Sequence, residues 1–199
     1  MRNVIAKRIR AIFAVMLGVA MVFAAPLRPL AHESPVDHVD RAIRIWIDGN
    51  TLFLRYQLQL SERAAMMQLK TMDADGDGAV SDSERVVFFG AFAERLAKDL
   101  HVQLGERPLE LKPAGRVELL PQCRQVFLFS SPTGALARGT VAGKLSDEFS
   151  RNYPGVYRWD GAKEKAKSEP RVVVSEAPKS QEAAGHPAVL VLKFEVVVP

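Results

Sequence analysis

Cysteine is nearly absent from this chain: Cys123 is the only one in 199 residues. A lone thiol excludes an intramolecular disulfide and a thiolate zinc site. Cys123 is expected to be a small buried apolar residue, with a free thiol as the alternative. Long apolar runs are equally scarce, and the one present lies near the amino terminus. There is no Gly-x-Ser-x-Gly, His-Glu-x-x-His or phosphate-loop pattern, so a hydrolase or nucleotide enzyme is not expected. His101 and His186 are isolated in sequence and carry no reading of their own.

A surplus of one sign of charge is lacking too, once the first segment is set aside. The whole chain carries 27 Lys and Arg against 23 Asp and Glu. Residues 1–31 hold Arg2, Lys7, Arg8, Arg10 and Arg28 and no acid, which leaves 22 basic groups against 23 acidic ones. Binding to nucleic acid on the strength of total charge is therefore excluded as an expectation. The first segment itself reads as an address. A basic start, the apolar run Ala11–Ala25 and small residues after it make a secretory signal peptide over 1–31. Cleavage is expected after Ala24 or Ala31. An uncleaved membrane anchor is the alternative, because Ala11–Leu27 is near the lower limit of about 17 residues for a span. Residues 32–199 are then one extracytoplasmic domain, periplasmic or secreted, with room for a real core.

What the chain does have is Asp73–Glu84, reading Asp-Ala-Asp-Gly-Asp-Gly-Ala-Val-Ser-Asp-Ser-Glu. Counted from Asp73, carboxylates fall at positions 1, 3, 5 and 12, with Gly78 at position 6. Asp side chains at alternate positions of a curled loop converge on one point. Glu84 has the reach to close it from the far end. An acidic hairpin turn is the competing reading, since Asp75-Gly76 and Asp77-Gly78 are turn dipeptides. A turn, however, needs neither the alternation nor the distant Glu. Anions packed this closely also repel one another without a cation.

This spacing resembles the EF-hand calcium loop. The resemblance implies Ca²⁺ held by oxygens of Asp73, Asp75, Asp77, the Ala79 carbonyl, Ser81 through a water, and Glu84 with both carboxylate oxygens. Val80, at position 8, is then the apolar residue that pins the loop to a neighbour. The flanks agree. Ser61 can cap a helix through Met72, with Glu62 in its first turn. A second helix runs from Glu84 to about Leu100, with Phe88, Phe89, Phe92, Leu96 and Leu100 at helical spacing. Ala65, Met66, Leu69 and Met72 or Met67 give the first helix an apolar stripe. Both stripes are read as core, with a regulated groove as the alternative.

The remaining pattern is that of strands. Ile43, Ile45 and Ile47 alternate with Arg44 and Trp46, and Asp48-Gly49-Asn50 makes a hairpin turn. Leu52, Leu54, Tyr56, Leu58 and Leu60 alternate with Phe53, Arg55, Gln57 and Gln59, a half-buried strand with one wet face. Further strands are expected over His101–Leu104, Pro108–Leu111, Arg116–Leu120, Gln125–Ser130, Gly139–Leu145, Arg171–Ser175 and Val189–Val198. In the last of these, Leu190, Leu192, Phe194, Val196 and Val198 share a face. The expected fold class is mainly β, an antiparallel β-sandwich with a helix-loop-helix EF-hand inserted at about 61–100. Lys163–Pro170 and Glu176–Pro187 read as mobile charged connections, and Lys163–Lys167 as a solvated loop.

Asn152–Trp159 (Asn-Tyr-Pro-Gly-Val-Tyr-Arg-Trp), the leader ending Ala31-His32, the early hairpin and the Asp-rich insertion carry a second resemblance. Together they are similar to the extracytoplasmic β-domain at the amino terminus of some bacterial nickel/cobalt-transporter-like membrane proteins. Transport itself is not expected of residues 32–199, which hold no apolar run long enough for a membrane bundle. The opening also departs from the family, since Glu33 and not Pro follows His32. Read from the residues alone, Tyr153–Trp159 is a turn anchored by aromatics. The leading expectation is an exported, non-enzymatic calcium-binding protein, with an unidentified membrane or envelope protein as partner. The alternative is an accessory protein for Ni, Co, Cu or Zn, with His32 and His38 as imidazole ligands. A polar terminus with incidental histidines accounts for the same two residues.

Overall fold

The computed structural model describes residues 39–153, 155–159, 170–177 and 189–199. The expected signal peptide, His32, His38, His186 and the Lys163–Lys167 run lie outside them. The described residues are mainly β, in two sheets, with two α-helices. Among them no helix is long and apolar enough to cross a membrane.

The first hairpin shows why the alternation was informative. β1 (Val39–Asp48) and β2 (Thr51–Leu60) pair antiparallel with Asp48 opposite Thr51, so Gly49 and Asn50 alone make the turn. Gly49 adopts φ +56°, a conformation open to a residue without a Cβ. Ile43, Ile45, Ile47, Leu52, Leu54, Tyr56 and Leu58 all point to one side and are buried. β7 (Arg124–Pro132) pairs with the other edge of β2. The short β5 (Lys112–Pro113) and β6 (Glu118–Leu120) pair with β7, and β9 (Tyr157–Trp159) runs parallel to β1.

The second sheet is ordered β10 (Arg171–Glu176), β11 (Leu190–Val198), β8 (Gly139–Asp147), β3 (Leu100–Leu104) and β4 (Arg107–Leu109). Leu190, Leu192, Phe194 and Val196 of β11 are buried together. Gly143 lies opposite Phe194, where a Cβ would come within 2.2 Å of the Phe194 ring, so only glycine leaves that ring its place. Inward side chains of both sheets join one apolar cluster. Each fully buried Leu, Ile or Phe in it contributes about 1.5–3 kcal/mol of transfer free energy.

The helices form the passage from one sheet to the other. α1 (Glu62–Met72) leaves β2 of the first sheet, and α2 (Asp82–Asp99) delivers the chain directly into β3 of the second. The two have different attachments. α2 buries Phe89, Ala93, Leu96 and Ala97, and Phe92 packs on Phe127 and Phe149 with ring centroids 5.4 and 5.9 Å apart. In α1 only Met72 is buried. The Phe stripe is therefore core, as expected, but the Met stripe is not: Met66, Met67 and Leu69 are 62, 54 and 48% exposed. α1 touches the sheet at its other side, where the Gln68 and Gln125 amides donate to one another.

A polar cluster is buried where β1, β2 and β8 meet. Arg41 and Asp147 are almost wholly excluded from solvent, and Arg41 Nε lies 3.4 Å from Asp147 Oδ2. Arg41 Nε donates to the Tyr56 hydroxyl at 2.9 Å, and Tyr56 donates to Asp147 Oδ2 at 2.6 Å. Arg41 Nη1 and Nη2 each donate one further hydrogen bond, to the carbonyls of Val39 and Tyr153 respectively. Ser150 N–H donates to Asp147 Oδ1 at 3.1 Å, from a 3₁₀ turn at Phe149–Arg151. Burial raises the Asp147 carboxyl above its ordinary value, against the pull of Arg41 and Tyr56. Burial, then the Asp147 charge, raises the Tyr56 hydroxyl further still.

Two local expectations need correction. Cys123 is half-buried and not part of the core. It sits in the turn between β6 and β7, where Gln122 and Cys123 both adopt positive φ and the Cys123 carbonyl accepts the Leu60 N–H. Tyr153–Trp159 is more than a turn. Tyr153 stacks on Phe149 at 4.6 Å, and Tyr157 to Trp159 extend the first sheet. Gly155 crosses Val39 so closely that a Cβ would lie 1.9 Å from the Val39 carbonyl oxygen.

Candidate metal site

Between α1 and α2 the chain is held in a curl by its own carboxylates. Asp73 Oδ1 accepts the Gly76 N–H at 2.9 Å, and Asp73 Oδ2 accepts the Gly78 N–H at 3.0 Å. Asp75 Oδ1 accepts from Asp77 N at 3.2 Å, and Asp77 Oδ1 from Ala79 N at 2.8 Å. Each short side chain thus turns the backbone that follows it. Gly76 and Gly78 take φ +75° and +87°, where a Cβ would be strained. Val80 is partly buried and packs against the core, tethering the end of the loop.

Glu84 closes the curl. Its Oε1 accepts the Ala74 N–H at 2.7 Å, and its Oε2 accepts the N–H and hydroxyl of Ser81, both at 2.8 Å. Ser81 Oγ in turn accepts from Glu84 N, so Ser81 and Glu84 form a capping box at the start of α2. Donation from the Ser81 backbone, the Ser81 hydroxyl and the Ala74 backbone holds the Glu84 carboxyl down to about 2. The Ser-x-x-Glu signal for this box is present in Ser81-Asp82-Ser83-Glu84. It places the helix start at Asp82, two residues before the sequence expectation.

These constraints bring carboxylate oxygens of Asp73, Asp75 and Glu84 within 4.8 Å of one another. Asp73 and Glu84 are half-buried and Asp75 is exposed, so the group faces water. Asp77 is not one of the three, and its Oδ1 is engaged by Ala79. No family model, curated protein or solved structure matches the chain. The chemistry of the site therefore rests on its own donors. These are hard oxygens with no imidazole or thiolate among them, a set suited to Ca²⁺ or Mg²⁺ and poor for Cu or Zn. His101, the one histidine in the described residues, lies 3.6 Å from Glu148 in the second sheet region and takes no part.

Proposed function

We propose that the chain is an exported, non-enzymatic calcium-binding protein, with a single EF-hand loop, Asp73–Glu84, carried on an antiparallel β-sandwich. One observation supports this above the others: carboxylates from both ends of a twelve-residue stretch converge within 4.8 Å. Asp73, Asp75, Asp77 and Glu84 would hold the ion with the Ala79 carbonyl and a water on Ser81. Calcium would neutralise the repulsion among these acids. One loop without a partner loop binds weakly, with Kd about 10⁻⁴–10⁻³ M, which suits the ion concentrations outside a cytoplasm. The bound ion would order the loop and α1, which is otherwise held to the sheets by few side chains.

The test is a calorimetric titration of Ca²⁺, Ni²⁺ and Zn²⁺ into the mature chain. One calcium site is expected, lost in Asp73→Ala and in Glu84→Gln. Stoichiometric calcium binding by the double variant would contradict the assignment. Tight Ni²⁺ or Zn²⁺ binding without calcium would favour transition-metal handling instead.

A further inference from the structure

Near the end of α2, Glu94 precedes Lys98 by one helical turn, the order that ordinarily favours an ion pair. Between β4 and β5 the chain reads Glu110-Leu111-Lys112, and the alternation turns Leu111 into the core and leaves both charges exposed. These two stretches form the walls of a cleft of about 600 Å³. That volume falls within the about 300–1,000 Å³ of small-ligand sites. Each wall carries one carboxylate and one ammonium, and all four groups are exposed. Among the described residues none of the four is in an ion pair. The floor is different, since Ala97, Leu109 and Leu111 line it and belong to the apolar core. His101, at the rim, is already engaged by Glu148, and no role falls to it. Both walls are fixed from behind: α2 buries Ala93, Leu96 and Ala97, and β5 is paired to β7.

We propose that this cleft binds short zwitterionic peptides with apolar side chains. A simple anion would meet a carboxylate on each wall, and a simple cation an ammonium. A ligand that carries both signs gains from both walls. Its amino group is drawn to Glu94 and Glu110, and its carboxylate to Lys98 and Lys112. Apolar side chains displace water from Ala97, Leu109 and Leu111. A free amino acid offers the charges but too little apolar surface to fill this volume. Walls already fixed in place spare the ligand part of the cost of ordering them. No residue of Asp73–Glu84 lines the cleft, so this site stands or falls separately from calcium binding.

The test is a ¹⁵N–¹H titration of the mature chain in excess chelator, which keeps the calcium loop out of the measurement. The probes are trileucine, trialanine, and trileucine acetylated at its amino end or amidated at its carboxyl end. With trileucine, amides between Glu94 and Val102 and between Leu109 and Lys112 should shift together and saturate. Trialanine should bind at least about tenfold more weakly, because it covers less of the floor. Either capped form should bind about two- to fivefold more weakly than trileucine, the range for exposed charge pairs. In the double variant Glu94→Gln, Glu110→Gln, acetylated and free trileucine should bind alike. In Lys98→Gln, Lys112→Gln, amidated and free trileucine should bind alike. All four side chains are exposed, so both double variants should melt close to the parent. No saturation by trileucine, shifts confined to other elements, or equal binding of capped and free peptides by the parent would overturn the proposal. So would a penalty for acetylation that persists undiminished once both glutamates are replaced.

Discussion

Glu84 reaches back across the loop to Ala74, and its Oε1 accepts the Ala74 N–H at 2.7 Å. The two residues mark opposite ends of the curl, and the same carboxylate also takes both donors of Ser81. The oxygens proposed to close on calcium are thus held near their place by backbone N–H groups of the loop itself. Glu84→Gln keeps an oxygen for Ala74 but removes the charge. It is expected to leave the helical content intact while calcium binding disappears up to about 10 mM, well above the weak range for single sites. Calorimetry and far-ultraviolet circular dichroism check the two halves of this statement. Ser81→Ala, which removes the cap of α2, should cost about 1 kcal/mol in urea unfolding.

Arg41 and Asp147 give a second prediction, independent of any ion. Arg41→Met leaves a buried carboxylate without its cation and should cost about 3–5 kcal/mol at pH 7. Asp147→Asn should cost less, because Arg41 keeps the oxygens of Tyr56, Val39 and Tyr153. Burial raises the Asp147 carboxyl, so the folded chain holds that proton more tightly than the unfolded one. The penalty for ionising it is absent below the unfolded value and complete once pH has risen through the folded one. The parent should therefore lose stability relative to Asp147→Asn as pH rises through that window. Urea unfolding of the three chains across pH measures it, and an opposite slope would contradict the burial argument.

Amide exchange should divide the helical passage in two. α1 buries Met72 alone, whereas α2 buries Phe89, Ala93, Leu96 and Ala97. Calcium is expected to protect amides from Glu62 to about Val87, and to leave Ala93–Asp99 and β11 nearly unchanged. At free calcium a hundredfold above Kd, linkage adds about 2.7 kcal/mol, or about a hundredfold in the exchange rate of openings that release the ion. Equal loss of protection in α1 and β11 on chelation would mean that the ion holds both sheets together.

Much of this was legible in local patterns, and what escaped was tertiary. The acidic spacing of Asp73–Glu84 and the alternation of Leu52–Leu60 are short-range features: the first appears as a curl that brings Asp73, Asp75 and Glu84 together, the second as a strand with one buried face. The Met and Phe stripes are indistinguishable in sequence, since both recur at helical spacing. Only the packing of α2 against Phe127 and Phe149 decides which stripe is covered. Arg41 occupies an inward position in an otherwise apolar series, and its partner Asp147 comes from a strand more than a hundred residues away. No local signal pairs them. β5 and β9 are two and three residues long, too short to show a period.

Export carries its own prediction. Protein recovered from its native compartment should lack residues through Ala24 or Ala31, as read by intact mass. A mass that retains Ala11–Ala25, in a membrane fraction, would favour an anchor.

The central claim is that one calcium ion seats in Asp73–Glu84, and a residue-resolved calcium titration by ¹⁵N–¹H spectroscopy tests it most directly. The account predicts that amide resonances of Ala74–Glu84 shift together and saturate at one equivalent, with Kd about 10⁻⁴–10⁻³ M. Resonances of β11 should stay in place, and the Asp73→Ala, Glu84→Gln double variant should show no saturable shift. Loop resonances that do not move with calcium, or that move equally in the double variant, would contradict it.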